Sequence, residues 1–264
     1  MSNIWAIYKR EMRSYFFSPL AYVLYVFFLF LTAVFFYMYF SSYVKWSQEY
    51  MQMMQFQQGF GSQPLPNYTQ IVLQGITNVM TFILLFVAPM LSMRIIAEEK
   101  KMGTIELLFT YPIKDIEILL GKYFSAMTVY VGMLALTFIY VLLSLKVVPD
   151  QTYLPAVMTS YLGVFLVGSA FISFGIFASS LTDNQVVAGL ITFASLLVLW
   201  MIGFVDEINP GILGDICNNI SVYAHFDDFG KGVIDTGHAA FYVLFTIFFL
   251  FFSLRVLESN RWRG

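Results

Sequence analysis

This sequence predicts an all-α integral membrane protein with six transmembrane helices, and three observations carry that reading. Hydrophobic residues make up 59% of the 264 and charged residues only 11%, roughly half the charge of a soluble globular domain. Six charge-free windows approach or exceed the roughly 20 apolar residues needed to cross about 30 Å of hydrocarbon. The remaining charge is gathered: residues 92–123, "SMRIIAEEKKMGTIELLFTYPIKDIEILLGKY", hold ten of the thirty charged side chains. A soluble fold of this length needs a polar shell that the composition does not supply, so the bilayer must be the shell.

The elements follow in chain order. Residues 1–17 predict an amphipathic helix: Ile4, Ile7, Tyr8, Met12, Tyr15 and Phe16 follow helical spacing, while Lys9, Arg10 and Arg13 cluster away from them. Such a helix lies in the interface plane, with Trp5, Tyr8, Arg10 and Arg13 as its interfacial residues. A basic flank that sets topology is a compatible reading. Span one covers 19–42, opening at Pro19, and the Gln- and Met-rich stretch after it extends the helix before a Gly/Pro turn. Met51, Met53 and Met54 offer soft thioether ligands for Cu(I), but interface packing is the simpler account. Span two covers 70–96. A cytoplasmic elbow follows over 97–122, and span three over 121–146. Spans four, five and six cover 154–181, 185–205 and 238–257. The first apolar run is too long for a cleavable signal, lacks a small-residue cleavage site and is followed by five more.

Within the elbow, Gly103 and Thr104 are the expected N-terminal cap of a short helix. Ile105, Leu108 and Phe109 fall at helical spacing, and Pro112 stops the segment. A second helix starts with Asp115 as its cap and leads into span three. The short helix presents apolar side chains between the charged flanks "AEEKK" and "KDIE", which suggests docking to another protein. Residues 206–238 predict a re-entrant or surface-lying helical pair, since irregular backbone at membrane depth survives only against protein or a water-filled cavity. Asp215, Cys217, His225, Asp227, Asp228 and His238 in that segment fit no compact ligand spacing, so no metal site is expected there. Cys217 is the single cysteine and has no internal disulfide partner.

Lys and Arg set the orientation. The N-terminus, the elbow and the C-terminus hold eleven of the fourteen, against Lys45, Lys146 and Lys231 in the other loops, so both termini are expected in the cytoplasm. Net charge near −2 gives no footprint for nucleic acid. No ionisable residue sits well inside a span, where proton- or ion-coupled carriers need one. The chain has no G-x-x-x-x-G-K-[ST], no H-E-x-x-H and no G-x-S-x-G, which excludes a P-loop ATPase and argues against an intramembrane hydrolase. Small residues in span four, Gly168, Ser169, Ser173, Gly175 and Ser179, are expected to serve close helix packing.

The run "EEKKMGTIELLFTYPIKDIEILLGKY" resembles the loop of type-2 ABC exporter permeases, in which a charged flank, Gly-Thr, an acidic-apolar helix, Thr-x-Pro and a second helix with Leu-Gly-Lys follow in order. The N-terminal "YKREMRSYFFSPLAYVL" resembles the branch of that family associated with gliding motility. The resemblance implies a non-enzymatic permease of the bacterial inner membrane that pairs with a second permease copy or a relative. It implies two separate ATPase subunits, with ATP and Mg bound there and no cofactor on this chain. Glu98, Gly103, Thr104, Ile105, Glu106, Leu107, Leu108 and Pro112 become the ATPase-coupling residues. A passive channel and a membrane scaffold driven by an ABC motor are the alternatives, and the substrate stays open.

Overall fold

The computed structural model describes residues 2–56, 67–104, 113–144, 154–205 and 211–261. Among these residues every regular element is helical, and six helices are long and apolar enough to cross a membrane. Helix α1 (Ser2–Phe17) breaks at Ser18, whose hydroxyl accepts the Leu20 amide at 3.3 Å. Pro19 follows at the first helical position, where its missing N–H is no loss. Helix α2 (Pro19–Phe56) then runs for 38 residues without an internal Gly or Pro. At 1.5 Å per residue this is about 57 Å, so the span continues as a helical extension well past the hydrocarbon.

The second span begins as a π-helical turn, Thr69–Leu73, that passes into α3 (Gln74–Ser92). The sequence reading carried this helix to residue 96, but it ends at Ser92. Pro89 lacks an N–H, the Ser92 hydroxyl donates to Ala88 O at 2.7 Å, and the chain tightens into the turn 93–96 with Ile95 N donating to Ser92 O. Helix α4 (Ala97–Lys101) follows. Helix α5 (Asp115–Ser144) carries span three. Asp115 is its first residue rather than its cap, because the Glu117 carboxylate reaches back to the Lys114 amide at 3.2 Å and takes that role.

Helix α6 (Leu154–Leu181), span four, is the axle of the bundle: it is buried over most of its length and packs against α3, α5 and the helices that follow. Its small residues admit close neighbours. A methyl group at Gly168 would lie 2.2 Å from Tyr130 Cζ, and one at Gly175 would lie 1.9 Å from Ser92 Oγ. Helix α7 (Gln185–Met201), capped by the Asn184 side chain, is span five. Two short helices, α8 (Ile212–Ile220) and α9 (Val222–Gly230), form the hairpin expected between spans five and six, and α10 (Thr236–Arg261) is span six. Ser221 joins the hairpin, ending α8 and capping α9 through its hydroxyl. Phe226 and Phe229 of α9 bury against Gly163 of α6, and Ser160 donates to Phe229 O at 3.0 Å.

Helices α2, α7 and α10 leave most of their apolar surface outward, as Phe30, Leu190 and Leu244 illustrate. In water such faces are strongly unfavourable, and lipid is their natural shell. The chain is a multi-pass membrane protein.

Candidate functional site: the elbow joint

Helix α1 folds back across the start of α5, and Gly121 is what lets it approach. A Cβ there would lie 2.8 Å from Ile7 Cγ2. Asn3 Nδ2 donates to Glu117 at 3.2 Å, and the Tyr8 hydroxyl donates to Thr128 Oγ1 at 3.1 Å, so the first half of α1 is tied to α5 at two points. The apolar face expected to enter the bilayer is thus partly spent on protein: Ile7 and Tyr15 are buried, while Trp5 and Phe17 stay exposed. Trp5 stacks on Tyr8 at 5.0 Å with the Lys9 ammonium 5.2 Å from its ring centroid. Arg13 faces outward on the exposed side of α1.

One turn further, α1, α4 and α5 meet in an ion cluster. The Lys122 ammonium is almost wholly buried and lies 3.1 Å from Glu11 and 3.0 Å from Glu99, and it donates to Ile95 O at 2.8 Å. It thus donates hydrogen bonds to Glu11 and to Ile95 O and pairs with Glu99 by charge. Arg10 Nη2 closes the ring from the solvent side on the same two carboxylates, at 2.7 and 2.5 Å. Burial by itself would push the Glu11 carboxyl up, but Lys122 and Arg10 more than reverse this and hold it below its ordinary range. Next to the cluster lies a cleft of about 310 Å³ lined by Arg10, Tyr15, Arg94, Glu98, Thr104 and Lys122. Arg94 sits 5.4 Å over the Tyr15 ring and donates to Ser18 Oγ at 3.2 Å, and Tyr15 itself donates to Leu91 O at 2.8 Å.

The turn 93–96 is fastened to α6 by one hydroxyl. Ser179 Oγ accepts the amides of Ile96 and Ala97 at 3.1 and 3.0 Å and donates to Met93 O at 2.9 Å. A serine hydroxyl has one proton and two lone pairs, and all are used. These are the amides a helix N-terminus leaves unpaired, so Ser179 caps α4 from another span. Lys100 Nζ adds a bond to Ser180 O. The elbow is thereby bound to α5 through Lys122 and to α6 through Ser179.

Gly103 closes α4. With φ of +68° it is the left-handed residue that ends α4, its N–H donating to Lys100 O at 3.1 Å. The Thr104 hydroxyl donates to Glu99 O at 3.3 Å, across the end of α4, and the helix that Gly103 and Thr104 were expected to cap lies outside the described residues. Glu98 lines the cleft. Ile105, Glu106, Leu107, Leu108 and Pro112 lie outside the described residues. Glu11, Glu99, Lys122 and Ser179 are the residues that sequence reasoning passed over as charge balance or packing. Gly121 before Lys122 was the available signal, because a glycine inside an apolar helix marks a close approach.

The elbow and the α8–α9 hairpin occupy opposite ends of the bundle. On α6 they contact Ser179 and Gly163, sixteen residues or about 24 Å apart along a helix. The end of α10 is at the elbow end, where Phe252, Arg255 and Ser259 share a cleft with Lys100. At the hairpin end a second cleft, of about 390 Å³, is lined by Asn218, Tyr223, His225, Asp228 and His238 among others. The six acidic, histidine and cysteine residues of this segment do not gather in one place. Asp215 stays on the exposed side of α8, and Asp227 pairs with Lys231 and Gln74.

Residues 5–215 match the model of a family described as ABC-2 family transporter protein. No curated protein matches the chain.

Proposed function

The chain belongs to the ABC-2 family of transporter proteins, and from this premise we propose that it is the exporter permease of its ABC transporter, moved by separate ATPase subunits through the elbow. As a permease subunit of an ABC transporter it is a membrane component, and its sequence holds no P-loop. The observation that carries the proposal is the joint of Lys122 with Glu11 and Glu99, together with the Ser179 cap. Of the two elements that flank residues 105–112 in sequence, α4 is fastened to α5 and α6, and α5 is itself a span. A soluble motor that grips this segment moves α5 and α6 together.

In this reading the motor docks on Ile105, Leu107 and Leu108, with Glu106 meeting a basic group of the partner. Two motors serve two permease copies related by symmetry, which gives a closed assembly. The elbow end faces the cytoplasm of a bacterial inner membrane, because eleven of fourteen Lys and Arg belong to that end. ATP binding closes the motor pair, drives the elbows and opens a path at the hairpin end. ATP and Mg belong to the partner.

The test is co-purification of the solubilised protein with its co-expressed ATPase, comparing wild type with Leu108→Asp and Glu106→Arg. Both variants are expected to fold and to lose ATPase capture or substrate-stimulated hydrolysis. Normal transport by both overturns the docking assignment. Transport by a wild type that captures no ATPase at all replaces the exporter by a passive channel.

A further inference from the structure

Where the elbow meets the end of span six, two cations from distant parts of the sequence line one cleft of about 340 Å³. Lys100 comes from α4, Ser180 and Leu181 from the end of α6, and Phe252 and Arg255 from the last turns of α10. The elbow cleft is lined by Glu11, Glu98 and Glu99 besides its cations, and the hairpin cleft by Asp227 and Asp228. Of these three clefts, this is the one lined by cations without a carboxylate.

Both cations keep donors to offer. Lys100 Nζ donates to Ser180 O, which fixes the ammonium at the end of span four, and two of its three N–H groups remain. Arg255 pairs with Glu258 through Nη1 at 2.7 Å, which leaves its Nε and Nη2 donors. That pair is exposed and lies along one helix, so it holds the guanidinium only weakly. The other nearby carboxylate, Asp183, attracts Lys100 only at longer range.

The depth of the cleft in the bilayer is the second observation. Residues 239–254 of span six carry no charge, and Arg255 is the first charged residue after them. Its guanidinium lies 4.8 Å from the centroid of Phe251, whose ring faces outward, so the cation sits where hydrocarbon gives way to headgroups. Leu181 and Phe252 line the cleft and are themselves exposed, and Phe248 continues the same apolar surface one turn deeper. Among the described residues no hydrogen bond or ion pair joins α4 to α10 directly; α4 is tied to α1, α5 and α6 instead.

We propose that this cleft holds an anionic glycerophospholipid, with its phosphate between Lys100 and Arg255 and its acyl chains along Leu181, Phe252 and Phe248. Basic clefts between membrane helices at headgroup level attract anionic lipids, and Lys and Arg are both suited to phosphate. A zwitterionic headgroup brings a cation of its own, so the site favours a headgroup whose only charge is the phosphate. The bound lipid bridges α4 and span six, two elements of the elbow end that otherwise lack a direct polar link. The proposal needs the bilayer but not the motor.

The experiment is native mass spectrometry of the detergent-solubilised protein, titrated with phosphatidylglycerol and, separately, with phosphatidylcholine of the same acyl chains. Wild type is expected to retain one phosphatidylglycerol per chain in preference to phosphatidylcholine. Arg255→Gln and Lys100→Gln are each expected to weaken phosphatidylglycerol retention roughly fivefold. Lys45→Gln, on the far extension of α2, is expected to keep the preference, which separates the cleft from net charge. Arg255 is exposed, so its variant decides the matter even if Lys100→Gln, which loses the bond to Ser180, misfolds. Thermal unfolding with phosphatidylglycerol or with inorganic phosphate is the second readout, and only the lipid is expected to protect. Equal retention of the two lipids by wild type, or unchanged retention in folded Arg255→Gln, overturns the proposal. Equal protection by inorganic phosphate also overturns it and makes the cleft a site for a free anion. Lost ATPase capture with unchanged lipid retention in Arg255→Gln overturns it in favour of a protein contact.

Discussion

The amide of Ala97 donates to the hydroxyl of Ser179 at 3.0 Å, across 82 residues of sequence and between two different spans. The same hydroxyl holds Ile96 and Met93, so a single side chain on α6 completes the hydrogen bonding of the turn that leads into the elbow. Without it two buried amides and a carbonyl face an apolar surround. A buried donor left unsatisfied costs about 1–3 kcal/mol.

Ser179→Ala is therefore expected to lower stability by about 1–3 kcal/mol and to loosen α4, seen as a lower unfolding temperature and faster amide exchange in 93–101. Ser180→Ala is the control, because its hydroxyl only doubles a bond inside α6, to Phe177 O. Equal effects of the two variants show that Ser179 acts by volume and not by capping.

Lys122→Met leaves two carboxylates facing each other, with Arg10 still paired to both from the solvent side. Breaking a buried pair in this way costs about 3–5 kcal/mol, whereas removing the whole charge set is close to neutral. The single variant is expected to lose most of its folded yield. Glu11→Gln and Glu99→Gln added to Lys122→Met are expected to restore much of it, read by size-exclusion profile and thermal unfolding.

The pH response follows from Glu11. Its carboxyl is held below its ordinary value in the folded state, so its stabilising contribution is fully present above the unfolded carboxylate pKa of about 4.3 and is lost as pH falls through the lower folded value. Docking of α1 on α5 is expected to be constant from pH 8 to pH 5 and to fail only under stronger acid. A spin-label pair on α1 and α5 reports it. Release of α1 near pH 6 contradicts the assignment.

Gly168→Ala tests the packing of the central span. The new methyl meets Tyr130 Cζ at 2.2 Å, and Tyr130 has no free side: it is fully buried and its hydroxyl donates to Val164 O at 2.5 Å. Overpacking of this kind costs about 1–3 kcal/mol. A drop in unfolding temperature that Tyr130→Leu partly reverses in the double variant is the expected result.

Much of the fold was legible in the sequence, because a membrane span is a local property. Twenty apolar residues without charge announce a helix whatever surrounds them, and the helical pair between spans five and six showed itself by failing to span. The Ser18–Pro19 break and the run of α2 past the bilayer are likewise written in adjacent residues. The joint was not legible. Lys122 and Glu99 are 23 positions apart, and Glu11 is 111 from Lys122, so no spacing rule links them. The part of Gly103 in ending α4 was not legible either, since Gly-Thr reads equally as the end of one helix or the start of another until φ is known.

By itself, then, the sequence determined that the chain lives in a bilayer, where its long apolar helices lie and which segments gather the cations. Those follow from hydrophobic transfer and backbone hydrogen bonding, which act residue by residue along a helix. Only the tertiary structure decided which charges neutralise one another, that Ser179 caps a helix it does not belong to, and that Lys100 and Arg255 share a cleft. Such contacts depend on the relative placement of whole helices, and that is set by close packing around Gly121, Gly168 and Gly175 rather than by any local pattern.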